Sequence, residues 1–517
     1  MDAAGAIRRE AVRQRVFSVV ALGLCAMAGA ALAVVPLTTI MAFLAVVALA
    51  AVASLTVGVT GALATAPAFL SFFLLNRFDQ GFALPVGDYI VKVNYWFAAV
   101  SIGLLAIMNA LLPSREIVAG GPLVRFARYF GLGLSLFALL GLLSIVSNAA
   151  FDRYVPDRSL LGELLALGSL CLPMLLLLAV VRSNLTKDHA LMCLRGLVAF
   201  AAGTGFVMVV FALLPQTVTA MLGWSRELVI GSGGLIRGQT PLGHPNTVSA
   251  VMVLLLPVAV ILGLRHRSPL WTPFYLGSAL FLMGGVLFSL SRTAASIALV
   301  VLAMCLLYIL GAGAWKHILS IAVAGVFVAV VVWAGLSLFG AYDFSRFWST
   351  RYFENANIER RVQTIVTSLR VMRDYPVLGA SPNSVYPRDE LQPDWVPADV
   401  DQLGPIIYYR GHLTAANPHN VFLTVLAEFG FLGGAVFFAL MALVLHTIWR
   451  AWRAEALTEL DRATTAAFAI AFVGFMGVSL GGSLFTYTIR VGLIFWTFLA
   501  LAVRYSLLAA QENRDPA

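Results

Sequence analysis

Apolar runs of membrane-spanning length recur along this chain, separated by short polar segments. An α-helix needs about 20 apolar residues to cross a hydrocarbon core. The runs predict spans near 16–35, 37–57, 58–75, 95–113, 129–147, 159–181, 190–214, 246–264, 274–290, 293–312, 318–340, 421–448, 465–484 and 491–509. Gly58, Gly61 and Pro67 interrupt one long apolar block, so the expected number of transmembrane helices is 12 to 14. The fold class that follows is an all-α polytopic membrane protein with no appended soluble catalytic domain. The first apolar run is long enough to span and passes straight into a second, which argues against a cleavable signal peptide.

Two polar segments break the pattern, at 215–245 and 341–418. The second far exceeds an ordinary connection, and loops of that length are usually functional. Its eight arginines (Arg346, Arg351, Arg360, Arg361, Arg370, Arg373, Arg388, Arg410) are nearly balanced by nine acids, so it reads as a small mixed-charge domain. The chain therefore divides into membrane helices over 1–340, a loop domain over 341–418 and further membrane helices over 419–517. Within the loop domain, Ile358, Val362, Ile365, Val366, Leu369 and Met372 recur at helical spacing. They predict a helix over 358–375, capped by Asn355 or Asn357, ended by Pro376 and followed by a turn at Gly379.

Composition agrees with the pattern. Hydrophobic residues make up 60% of the 517, charged residues 11%, and mean hydropathy is +0.91; soluble domains carry about 25% charged residues. Basic residues orient the bundle. Arg8, Arg9, Arg13 and Arg15 precede the first run, and alternate loops carry Arg115/Arg125/Arg128, Arg182/Lys187, Arg265/Arg267, Lys316, Arg450/Arg453/Arg462 and Arg504/Arg514. With 14 spans these share one side with both termini, which the positive-inside rule makes cytoplasmic. The net charge of +9 is then a topology signal and does not point to nucleic acid. The two polar segments fall outside, where a cysteine at Ser381 is expected to meet impermeant reagents. Cys25, Cys171, Cys193 and Cys305 all lie in apolar runs without metal or disulfide spacing.

The candidate chemistry gathers on that outer side. Asn417-Pro418-His419-Asn420 ends the loop domain just before an apolar run. An ionisable group at the membrane edge is costly and marks a functional site by default; the plainer reading is an interfacial anchor. Arg361 stands near the start of the predicted helix, where the dipole disfavours a cation unless an anion lies between them; pairing with Glu354 or Glu359 is the alternative. Arg292, in Ser289-Leu290-Ser291-Arg292-Thr293, sits between two spans with almost no loop, as an anion ligand or as a snorkelling anchor. Arg237 lies in a glycine- and proline-rich stretch that includes His244 and suits an irregular segment lining a cavity. Only Lys92, Lys187 and Lys316 among 34 basic residues are lysine, so position says more than residue type. Several guanidinium groups with one histidine suit a diphosphate leaving group. Glu428 is a candidate relay carboxylate or a plain helix contact. No P-loop, zinc motif or nucleophile elbow is present.

At these residues the chain resembles the O-antigen ligase and polymerase superfamily of bacterial envelope glycosyltransferases. His419-Asn420, nine residues, then Gly430-Phe431-Leu432-Gly433 matches the family's histidine motif. Arg361 followed by Pro376-Val377-Leu378-Gly379 looks like its outer-domain helix and closing turn, although Ile365 stands where the family often has tryptophan. Ser291-Arg292-Thr293 and the Gly238–Asn246 stretch look like two further membrane-edge motifs. The resemblance spans about 230–440; the N-terminal half carries no matching motif.

The resemblance implies a GT-C-like fold in the bacterial inner membrane, with its site facing the periplasm. It implies transfer of an undecaprenyl-diphosphate-linked glycan with inversion and without nucleotide sugar, metal or other cofactor. On that reading Arg237, Arg292 and Arg361 hold the diphosphate, His419 orients or deprotonates the acceptor hydroxyl, and Asn420 holds the site's backbone. The acceptor is lipid A–core for a ligase, a second lipid-linked glycan for an O-antigen or exopolysaccharide polymerase, or a protein serine. The motifs do not separate these. A transporter or lipid flippase is the reading from another class, but transporters often show paired halves, and no internal repeat is seen here.

Overall fold

The structure is a computed structural model that describes residues 58–69, 71, 84–86, 89–91, 93–111, 121–150, 160–213, 245–266, 268–311, 365–366, 368–382, 384, 419–455, 457–482, 484 and 489–512. A helical stretch at 58–69 and a two-stranded hairpin, β1 (Leu84–Val86) and β2 (Tyr89–Val91), precede ten long helices. The hairpin is antiparallel, with Leu84 opposite Val91 and Val86 opposite Tyr89. The helices are α1 (Val93–Leu111), α2 (Pro122–Ala150), α3 (Leu160–Val181), α4 (Lys187–Leu213) and α5 (Pro245–Arg265). They continue as α6 (Trp271–Phe288), α7 (Arg292–Leu310), α8 (Val421–Trp452), α9 (Glu459–Ser479) and α10 (Ile489–Glu512). Among the described residues, nine helices are long and apolar enough to cross a membrane, all of these except α1. The chain is thus an all-α multi-pass membrane protein with one small hairpin. The spans expected at 16–35, 37–57 and 318–340 lie outside the described residues, as does most of 341–418.

Two helices form the centre. α5 is apolar all round, and both α5 and α10 are buried along nearly their whole length, α10 with polar side chains turned inward. α5 packs against α4, α6, α7 and α9, and α10 against α2, α3, α4, α8 and α9. α6 and α7 lie at the periphery, and much of their apolar surface is exposed.

Polar contacts fix which helix ends lie together. Arg265 at the end of α5 meets Glu459 at the start of α9 at 2.9 Å. Lys187 at the start of α4 reaches Asp461 of α9 at 3.5 Å and Glu512 of α10 at 2.6 Å. The two pairs with an exposed acid, Arg265–Glu459 and Lys187–Glu512, stabilise little, about 0–1 kcal/mol; here the value of all three is positional. They bring the α3–α4, α5–α6 and α8–α9 connections to one end of the bundle. Arg128 joins them, lining one pocket with Arg182. The basic residues Arg128, Arg182, Lys187, Arg265, Arg450, Arg453 and Arg462 therefore share that end. The joint between α6 and α7, the start of α8 and the end of α9 lie at the other.

Several spans start or end differently from hydropathy. α9 was expected over 465–484 and runs Glu459–Ser479. Thr458 caps it, accepting from Asp461 N at 3.1 Å and donating to Asp461 Oδ2 at 2.7 Å. Tyr505 donates to Asp461 Oδ1 at 2.6 Å, so the acid is buried but satisfied. α2 begins at Pro122, seven residues before the expected 129, because proline suits the first helical position and Arg125 and Arg128 are carried on the helix. Arg504, counted above with the basic flanks, is a buried helix residue. Its Nη1 donates to Val181 O, the last residue of α3, at 3.2 Å and its Nε to Leu185 O, in the connection to α4, at 2.9 Å.

Candidate active site

α8 begins at the point the sequence singles out. Asn420 is its N-cap, with extended backbone (φ −150°, ψ 114°) and a side-chain oxygen that accepts from Phe422 N at 2.9 Å and Leu423 N at 3.1 Å. Two of the four amides orphaned at a helix start are thereby satisfied. Thr424 Oγ1 donates back to Asn420 O at 2.8 Å. His419, the residue before the cap, is exposed and has left-handed backbone, φ 49°. That region is uncommon outside glycine, although histidine is among the residues enriched there.

Further along, α8 is broken at Gly430 (φ 64°, ψ −170°), a backbone conformation essentially restricted to glycine. In an unbroken helix Phe431 N and Leu432 N would bond to Ala427 O and Glu428 O. Here the turn at 376–381 takes both partners. Phe431 N donates to Pro376 O at 2.8 Å and Leu432 N to Val377 O at 3.3 Å. Ala427 O accepts from Ala380 N at 2.9 Å and Glu428 O from Ser381 N at 3.1 Å. The helix ladder is thus spliced to a segment some fifty residues upstream, which supplies partners to the four main-chain groups that the break takes out of the ladder. Gly379 (φ 76°) lies against Gly430: a Cβ on either would run into the other's main chain or the residues beside it.

The turn is held from below by the N-terminal helices. Gly379 O accepts from Asn148 Nδ2 at 3.2 Å and, more weakly, from Ser144 Oγ at 3.5 Å, both on α2. Ser381 Oγ donates to Glu163 Oε2 of α3 at 2.8 Å. Ser144, Asn148, Glu163 and Ser381 are all buried, and Ser381 has φ 85°. Sequence reading passed over the α2 and α3 residues. The available signals were a Ser144/Asn148 pair four apart in an apolar run and a single acid in α3.

The turn also ends the outer helix as expected. Residues 368–374 are helical, Tyr375 N closes on Val371 O at 2.9 Å, and Pro376 opens the turn. Its apolar face is not buried, however: Ile365, Val366 and Leu369 are exposed, whereas Ser368 and Tyr375 are buried. Burial also overturns the expected labelling site, since Ser381 is 1% exposed. Arg373, whose side chain is 78% exposed, is the site to use instead. With the outer segment on the side opposite the basic ends, an Arg373→Cys protein in a cysteine-free background is expected to react with an impermeant maleimide in intact spheroplasts. Reaction only after lysis would reverse the orientation.

Arg292 is the first residue of α7 and half-buried. The joint before it is only three residues. Ser289 Oγ donates to Val286 O at 2.6 Å and accepts from Ser291 N at 3.1 Å, and Leu290 takes φ 54°. α9 packs against both α7 and α8, and a Cβ at Gly481 just beyond α9 would meet Thr293. Arg292 thus stands at a helix start beside the end of α9, and His419 and Asn420 stand at a helix start on the same end of the bundle. Glu428 is buried inside α8 next to the splice. Arg237, Arg361 and His244 lie outside the described residues.

Residues 277–438 match the family model described as O-Antigen ligase, which makes this stretch a domain of the O-antigen ligase and polymerase superfamily. The match begins within α6 and ends within α8, so it takes in Arg292, the 376–381 turn, His419 and the Gly430 break. α1 to α5 lie before it, and α9 and α10 after it. A comparison with curated proteins finds no match.

Proposed function

We propose that this multi-pass membrane protein, with its O-antigen ligase domain, transfers an undecaprenyl-diphosphate-linked glycan to an acceptor hydroxyl of lipid A–core at the periplasmic face of the inner membrane. The observation that supports the reading is that Arg292 and the His419–Asn420 helix start both lie at the end of the bundle opposite the basic connections. In this reading 341–418 is a periplasmic domain. Arg292, with Arg361 and Arg237, holds the diphosphate and stabilises the charge that grows on it as the sugar leaves. Charge stabilisation by donors fixed in advance is commonly the largest catalytic contribution. His419 takes or orients the proton of the acceptor hydroxyl, and Asn420 holds the backbone that presents it. Polymerisation, with a second lipid-linked glycan as acceptor, is the alternative supported by the same family resemblance.

One experiment tests the reading and its central cation together. Envelope glycans are extracted from a deletion strain complemented with wild type, Arg292→Ala or Arg292→Lys. The ligase reading expects the deletion and Arg292→Ala to leave bare lipid A–core and accumulate lipid-linked polymer. Lysine should restore little, because it keeps the charge and loses the planar fork. Single repeats capped on core would instead favour polymerisation. Full restoration by Arg292→Lys would rule out bidentate phosphate recognition at this position.

A further inference from the structure

We propose that Glu163 of α3 and Asn148 of α2 are positioning residues for the transfer reaction, an inference that rests on the transferase reading above. They clasp the 376–381 turn in the break of α8, and so set how the outer segment meets the helix that begins at His419.

The splice is not needed to satisfy α8. A continuous helix would close Phe431 N on Ala427 O and Leu432 N on Glu428 O by itself. Instead the chain holds Gly379 and Gly430 in conformations suited to glycine and places Ser381, a residue with a side chain, at φ 85°. Conformations of this kind persist only where the surroundings over-determine them, and they cluster at functional sites. The surroundings here are Glu163, bonded to Ser381 Oγ, and Asn148 with Ser144, bonded to Gly379 O. A buried acid and a buried amide in apolar helices are costly unless well partnered. The turn supplies partners to both.

The consequence is geometric. Ten residues lie between His419 and Gly430, about 15 Å of helix at 1.5 Å per residue. The helical residues 368–374 leave from the same splice through the buried Tyr375. One clasp therefore fixes the outer helix and the histidine-bearing helix to a common point. α2 and α3 lie outside the stretch matched by the family, so the positioning comes from a part of the chain with no motif of its own.

The test uses the full-length protein in lipid nanodiscs and two readouts. Glu163→Leu removes the acceptor, Glu163→Gln keeps a side-chain oxygen, and Ser381→Ala removes the donor from the other side. Hydrogen exchange at the amides of Ala380 and Ser381 is expected to speed up roughly ten- to a hundredfold in Glu163→Leu, the scale of a lost hydrogen bond to a charged group. Transfer with purified lipid-linked donor and acceptor is expected to lose kcat by about 100-fold, the cost of a small misplacement. KM for the donor should change little, and Glu163→Gln should recover most of both losses. Ser381→Ala gives the same comparison if Glu163→Leu does not fold.

Faster exchange with unchanged kcat would make the clasp purely structural and overturn the proposal. So would unchanged exchange, or a glutamine variant as impaired as leucine. If the wild-type chain transfers no glycan to any acceptor, the transferase reading falls and the positioning role with it. The exchange data would still report whether the clasp exists.

Discussion

Gly430→Ala is expected to free the 376–381 turn from α8 and to abolish activity, whereas Gly203→Ala in α4 should be neutral or mildly stabilising. The two substitutions add the same methyl group to a helix and differ only in what the backbone requires. At Gly203 nothing lies within 4 Å of the new Cβ. Alanine is there preferred over glycine by about 1 kcal/mol in a helix interior. At Gly430 the same Cβ would run into Val377 O and Gly379 N. It would also force alanine into a Gly-only backbone region, a cost of roughly 1–3 kcal/mol. Alanine favours the continuous helix, in which Phe431 N and Leu432 N return to their own ladder. The bonds lost are then those of the turn: Pro376 O, Val377 O, Ala380 N and Ser381 N would all go unpaired, at about 0.5–1.5 kcal/mol for each bond. Limited proteolysis in the 376–384 region, run beside transfer assays on both variants, checks this. A Gly430→Ala protein with a protected turn and normal transfer would show that the break is incidental.

Much of this architecture was legible because hydropathy responds to the same physics that sets the spans. α5, expected over 246–264 and found at Pro245–Arg265, has no polar face to confuse its limits. The close joint before Arg292 was readable because Ser289, Ser291, Arg292 and Thr293 cluster polar residues within five positions of a long apolar block. The start of α8 followed from the change of composition at Asn420, a favoured capping residue. α9 misled because Glu459, Asp461 and Arg462 look like loop. What holds them in a helix is the Thr458 cap and the distant partners Lys187 and Tyr505, which no local pattern reveals. The splice was hidden for a stronger reason. Pro376–Gly379 and Gly430–Gly433 each read as a local motif, yet their shared role is main-chain pairing across some fifty residues. Glu163 and Asn148 act on that pairing from helices further away still, so no spacing within the chain announces them. The candidate histidine and its cap were therefore readable as residue types in place, while the device that positions their helix was not.

His419→Ala is expected to lose glycan transfer by roughly 100- to 10,000-fold, the usual scale for removing a general base, while the lipid-linked donor still binds. The structure gives this expectation a local cause. His419 is exposed in a left-handed turn immediately before the cap, and the cap's two bonds to Phe422 N and Leu423 N fix where the helix starts. The side chain is thus presented at the bundle end that also carries Arg292, without being part of the helix core. Asn420→Ala separates presentation from chemistry. It removes the cap, at about 1 kcal/mol, and should reduce transfer less than loss of the imidazole. His419→Gln should retain part of the rate if the residue mainly orients the hydroxyl, and almost none if it must take the proton. His244→Ala, in the glycine-rich segment before α5, is the control and should be far milder. In-vitro transfer with purified donor and acceptor, alongside donor binding, decides among these. Full activity in His419→Ala, or loss of donor binding as its sole defect, would move the histidine from the acceptor to another role and leave the proposed chemistry without its base.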